Sequence, residues 1–233
     1  MGTRALKKEI LSLLSEKDLE RILKDIGRFP AKPVINVLFS AICRDDDLVR
    51  WHAISAMGVM VARLAEEEME EARIIMRRLL WSLNDESGGI GWGAPESMAE
   101  IMHQHAGLAR EYIHMLISYA RPDGPELEQD GNYLEHETLQ RGLLWGYDRL
   151  CDRRRDMLLA RGLPEDIPPY LHSGDQVVRG LALRVCLRLG VDLSREPLLP
   201  FLNDRSPVSL YHEGEFLTFI PAELAKAALG EER

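Results

Sequence analysis

Apolar positions recur at helical spacing from the start of the chain. Leu19, Ile22, Leu23 and Ile26 stand at i, i+3, i+4 and i+7, one stripe of an amphipathic helix. Ser15, three residues before Asp18, supplies a start signal for that helix. Pro33 is placed to open the next helix, where a missing N–H costs nothing. Val34, Val37, Leu38 and Ala41 form its buried face. After the turn Arg44-Asp45-Asp46-Asp47, a second stripe follows in Val49, Ala53, Met57 and Val61. The predicted unit is a helix, a short acidic turn and an antiparallel helix.

The unit recurs. Asp47-Leu48-Val49-Arg50-Trp51-His52-Ala53 is echoed by Asp175-Gln176-Val177-Val178-Arg179-Gly180-Leu181-Ala182. Arg141-Gly142-Leu143-Leu144 repeats the Arg-Gly start, and Pro95-Glu96-Ser97-Met98-Ala99 keeps the Ala but holds Glu in place of Arg. Taking Arg50, Glu96, Arg141 and Arg179 as equivalent gives intervals of about 38 to 46 residues, the range of helical-hairpin repeats. First helices are predicted at Met69 to Leu83, Leu108 to Tyr119 and, in short form, Ile167 to His172. A degenerate last unit comprises Leu198 to Leu202 and Pro221 to Leu229.

The Asp-x-x-Val-Arg-x-x-Ala pattern resembles the HEAT-like repeat of phycobilin lyase subunits and many bacterial adaptor proteins, an armadillo-type fold. The resemblance spans residues 29–230 and is closest around Arg50 and Arg179. It implies an all-α fold, an α–α superhelix or HEAT-like solenoid of about five hairpins. Residues 1–28 form an N-terminal helical cap, and the whole of 1–233 is expected to be a single domain. The physical logic agrees, because one helical hairpin cannot bury its apolar face alone. The repeat's Ala permits close helix approach, and its Asp can cap the second helix.

Three insertions interrupt the repeats, each between the two helices of a unit: Asn84 through Glu96, Arg121 through Asn132, and Asp204 through Ile220. In the last, Leu210 to Phe219 around Gly214 predicts a small β-hairpin. Equivalent turns of stacked hairpins lie on one edge, so the insertions are expected to share a ridge. The least ordinary stretch is Gly88-Gly89-Ile90-Gly91-Trp92-Gly93-Ala94-Pro95-Glu96. Its glycines allow close backbone approach, and Trp92 is a large rigid anchor of the kind found at interfaces. The alternative is that Trp92 tucks into its own repeat and the glycines only make the turn. Glu96 either receives a basic side chain from a partner, or answers the helix dipole and pairs with Arg50 or Arg141. Trp81 and Trp145 fall on helical stripes and are expected in the core, whereas Trp51 beside Arg50 is expected to be partly exposed.

Composition narrows the function classes. Hydrophobic residues make up 45% and charged residues 29%, which suits a folded protein. A net charge of −9 disfavours nucleic acid. The densest basic run, Arg149, Arg153, Arg154 and Arg155, alternates with Asp148, Asp152 and Asp156 and reads as a solvated helix end. No apolar run approaches the ~20 residues of a spanning helix, so a cytoplasmic protein without membrane contact is expected. Cys43, Cys151 and Cys186 lie far apart among apolar neighbours and suit reduced core thiols.

The candidate chemistry is thin. Two His-Glu pairs, His136-Glu137 and His212-Glu213, invite comparison with deoxyhypusine hydroxylase, also built of HEAT-like repeats, whose resemblance implies pairs that hold a di-iron centre. In that family the pair directly follows the repeat's Arg position. Here the matching positions hold Trp51-His52, Ser97-Met98, Gly142-Leu143 and Gly180-Leu181. No nucleophile motif is present. The expected function is a protein-binding adaptor or scaffold, not an enzyme, with no cofactor and another protein as partner. The candidate contact residues are Trp92, Glu96, Trp51, Glu137 and Tyr211. The alternative is a metal- or chromophore-dependent enzyme, or a cofactor-maturation factor, on the same scaffold.

Overall fold

The computed structural model describes residues 2–84, 91–122 and 132–230. Two compact units emerge: Met1–Ile113 with Glu213–Glu215, and His114–His212 with Phe216–Arg233.

The first unit holds α1 (Thr3–Leu14), α2 (Leu19–Ile26), α3 (Ala31–Ala41), α4 (Asp47–Glu67), α5 (Met69–Leu83), α6 (Ala94–Gln104) and the first turns of α7 (Ala106–Ser118). Asp18 itself caps α2, accepting the Arg21 N–H at 3.0 Å. Ser15 instead closes α1, its hydroxyl donating to the Leu11 carbonyl at 2.9 Å. α3 begins at Ala31 behind Pro30, so Pro33 lies deeper in the first turn than predicted, still where N–H groups lack helical acceptors. Asp46 caps α4 by accepting the Val49 N–H at 3.0 Å. Because α3, α5 and α6 all pack against α4, nearly its whole circumference from Trp51 to Ala65 is buried. Gly58 makes the approach of α6 possible. A Cβ there would stand 2.5 Å from Glu100 Cγ and 3.1 Å from the Glu100 carbonyl.

The second unit continues from the rest of α7 with α8 (Glu137–Ala160), α9 (Leu163–Asp166), a 3-10 turn (Pro168–His172), α10 (Gln176–Leu189), α11 (Arg195–Leu198) and a further 3-10 turn (Leu199–Phe201). It ends with strands β1 (Val208–His212) and β2 (Glu215–Phe219) and helix α12 (Pro221–Ala228). α10 is its centre, packing against α8, the Pro168–His172 turn, β1 and α12. Asp175 caps α10 by accepting the Val178 N–H at 2.9 Å, and the Arg141 guanidinium grips the same carboxylate. The strands form a two-residue hairpin turned by Glu213 (φ 48) and Gly214 (φ 98), the positive-φ pair that matches strand twist.

The class is therefore all-α with one small β-hairpin. The capping residues refine the repeat. Asp46 and Asp175 each stand four positions before the repeat's Arg, so the motif opens one residue earlier than at Asp47. Ala53 and Ala182 are both fully buried, as the close-approach role requires.

Candidate functional site

The sequence points first to the start of α6. Gly93 (φ 77) precedes it, and a Cβ there would lie 2.6 Å from the Ile42 carbonyl, so this turn needs glycine. Trp92 is half-buried, and its carbonyl accepts from the Cys43 thiol at 3.4 Å. Residues 85–90, the rest of that insertion, and 123–131, most of the second one, lie outside the described residues.

Glu96 is enclosed, with 8% of its surface exposed. Burial pushes its carboxyl up to about 7, against the opposing pull of its own backbone N–H and of Arg50. One carboxyl oxygen, Oε2, has no hydrogen-bond partner. The expected pair with Arg50 does not form, because Arg50 Nη2 bonds Asp47 in its own helix at 2.7 Å. Arg141, the other expected partner, is taken by Asp175. Glu96, Glu100 and His103 follow one another at i, i+4 and i+7 on α6, all buried. Glu100 accepts from Gln104 Nε2 at 2.8 Å and lies 3.8 Å from His103 Nδ1. On α4, His52 Nδ1–H donates to the Leu14 carbonyl at 2.9 Å, and burial lowers its pKa. This ionisable seam is interior and out of reach of a partner's side chain.

The remaining candidates separate into exposed and buried. Trp51 is buried at 9% exposure because α4 is enclosed from several sides. That corrects its expected exposure, although Arg50 does lie over its ring at 5.7 Å. Tyr211 is buried at 3% on β1, which packs against α10. Its ring meets Phe216 edge-on at 5.4 Å, and its carbonyl accepts from Trp145 Nε1 at 2.8 Å. Glu137 is exposed in the first turn of α8. His136 caps that helix, accepting the Thr138 N–H at 3.1 Å. His212 is half-buried at the end of β1, and Glu213 is exposed in the hairpin turn. Among the described residues, no group of three or more His, Cys, Asp or Glu is arranged to hold a metal ion. Burial pushes the Cys151 thiol up to about 11 and that of Cys186 to about 12, so neither forms a nucleophilic thiolate near neutral pH. Burial, with Glu96 second, also raises Cys43.

The surface that the sequence reasoning missed lies on α3 and α5. Trp81, expected in the core, is 62% exposed. The buried stripe of α5 is Ala72, Met76, Leu79 and Leu83, and Trp81 falls off it. Ile74, Arg78 and Trp81 instead form a second stripe at i, i+4 and i+7, all exposed. The Arg78 guanidinium stacks on Phe39 at 3.7 Å from the ring centroid and donates to Asn36 Oδ1 at 3.2 Å. Beside them a recess of about 180 Å³ opens among Phe39, Ile42, Cys43, Arg78, Trp81 and Ser82. A larger groove of about 570 Å³ lies between α1 and α3, floored by Leu6, Phe29, Pro33 and Val37. The signal was present in the sequence as Ile74 and Trp81 standing off the main apolar stripe of an already amphipathic helix.

No protein-family model and no curated protein matches the chain. Among solved structures, it is similar to an engineered protein, at 14% identity over 97% of this chain and 96% of the other, with a TM-score of 0.46. It is similar to a designed armadillo repeat protein, at 13% identity over 95% and 98%, with a TM-score of 0.44. A third similarity is to computationally designed armadillo repeat proteins for modular peptide recognition, at 12% identity over 97% and 99%, with a TM-score of 0.44.

Proposed function

We propose that this chain is a scaffold that holds a segment of another protein, and that its contact surface is the exposed face of α3 and α5. The observation that carries the reading is Trp81, 62% exposed at the rim of an apolar recess and one turn from a guanidinium stacked on Phe39. Trp and Arg dominate the binding energy of measured interfaces, and a solvent-facing indole beside other apolar surface is the kind of patch that marks an interaction site. Half-buried Trp92, joined to Cys43 through its carbonyl, belongs to the same neighbourhood. Glu137 remains an exposed candidate on the second unit, whereas Trp51, Tyr211 and Glu96 support the scaffold from within.

The test is a capture experiment from the native lysate with wild type, Trp81→Ala and Arg78→Ala, the bound proteins identified by mass spectrometry. A specific partner is expected on wild type. Its affinity should fall by about 2 kcal/mol, roughly thirtyfold, in Trp81→Ala, with the melting temperature unchanged. Equal retention by all three would move the contact surface elsewhere, and nothing specific on wild type would end the scaffold reading.

A further inference from the structure

The two recesses flanking α3 share a chemical character. Overall the protein is acidic, with 38 Asp and Glu against 29 Lys and Arg. Yet among the described residues no carboxylate lines either the α1/α3 groove or the α3/α5 recess. Each instead carries one cation on an otherwise apolar or neutral lining, Lys7 in the first and Arg78 in the second. Among the described residues, neither Lys7 nor Arg78 forms an ion pair. The other cations of α3 and α5 are paired: Lys32 with Glu68 and Glu71, Arg73 with Glu111, and Arg77 with Glu70.

Arg78 is also held in place. Its guanidinium sits over the Phe39 ring, and Nη1 donates to Asn36 Oδ1. A planar fork held this way loses little freedom when it grips a carboxylate. Asn36 itself borders the α1/α3 groove, so its hydrogen bond from Arg78 links that groove to the α3/α5 recess. Packed helices lie ~8–10 Å apart and an extended chain advances ~3.3 Å per residue, so anchors about three residues apart reach both recesses.

Resting on the scaffold reading, we infer that the occupant of this face is an extended acidic segment of a partner protein. It seats an aliphatic or aromatic side chain in each recess and sets carboxylates against Lys7 and Arg78. The apolar anchors supply most of the affinity. The two cations choose among partners and speed encounter, which is what unpaired rim charges do.

A phage-displayed library of short random peptides, selected on the full chain, tests this. Wild type is expected to enrich peptides of net negative charge carrying at least one large apolar residue, with binding that weakens as salt is raised and falls at least tenfold on Trp81→Ala. The double variant Lys7→Glu plus Arg78→Glu is expected to enrich net positive peptides. Lys7→Gln and Arg78→Gln, milder changes, should each reduce the acidic preference if the double variant does not fold. An enriched pool that is neutral or basic, or the same pool from wild type and the charge variants, overturns the acidic occupant and leaves the scaffold reading standing. No enrichment above bare support overturns both. Concentration-dependent self-association that Trp81→Ala abolishes also overturns the inference, since the occupant would then be a second copy.

Discussion

The packing of α6 on α4 and that of α10 on α8 both bury ionisable groups, and they treat them in opposite ways. In the second unit, Asp148 is 3% exposed and fully engaged. It accepts from Arg184 Nε at 2.9 Å and forms an ion pair with Arg188 Nη1 at 3.1 Å, and Arg188 also donates to the Asp148 carbonyl. In the first unit, Glu96 is 8% exposed, and its Oε2 has no partner, with the Ser97 hydroxyl likewise unpartnered beside it. Geometry explains the contrast. α10 sends two long arginines, Arg184 and Arg188, across to α8, whereas α4 offers Gly58 at the close approach, and its Arg50 turns back to Asp47. A buried carboxyl is thus either a cross-link between helices or a group held neutral by desolvation, according to the reach of its neighbours.

The sharpest way to break the comparison is Asp148→Ala, which takes the carboxylate from Arg184 and leaves Arg188 with Asp152 and the residue 148 carbonyl. Loss of about 3 kcal/mol is expected, at the low end for a broken buried pair because both arginines retain access to water. Chemical denaturation measures it, and a loss below about 1 kcal/mol would show that the α8/α10 cross-link contributes no more than a surface ion pair.

Glu96 should behave in the reverse sense. Its carboxyl titrates near 4.5 in the unfolded chain and near 7 in the fold. Below 4.5 both states carry the proton, and the residue leaves stability unchanged. As pH rises from 4.5 through 7, the unfolded chain gives up the proton first, so stability falls, by about 3 kcal/mol in all. Above 7 the penalty is constant. Glu96→Gln removes this slope, and denaturation midpoints of both proteins across that window check it. Parallel curves would mean that Glu96 ionises at its ordinary pKa.

The smallest effects concern what the two regions share. Ala53→Leu on α4 and Ala182→Leu on α10 should each destabilise by about 1–2 kcal/mol through overpacking, read as lower melting temperatures. A neutral result at both would break the equivalence of the two motifs.

Much of the fold was legible in the chain. Met69 to Leu83 is α5 at both ends, the Asp-to-Arg motif marks the starts of α4 and α10, and Gly214 marks the hairpin. These features depend on periodicity and on local capping and turn chemistry, which are properties of neighbouring residues. The candidate site was legible only in part. Trp51 has the composition of a contact residue, but its exposure depends on how many helices surround α4, which no local pattern encodes. Trp81 shows the converse. Its helix was placed correctly, yet the choice between two stripes on α5 was made by the neighbours that cover one of them. Glu96 was identified as the departure from the repeat, and its partner was misjudged because Arg50 had a nearer carboxylate in its own helix.

The sequence by itself determined the helices, the Asp175 cap and the hairpin, because each rests on interactions between residues a few positions apart. Tertiary packing alone decided which tryptophan faces water, which buried carboxyl finds a guanidinium, and where Lys7 and Arg78 border apolar recesses. Those outcomes depend on distances between helices that are remote in the chain, and burial, pairing and pKa all follow from those distances.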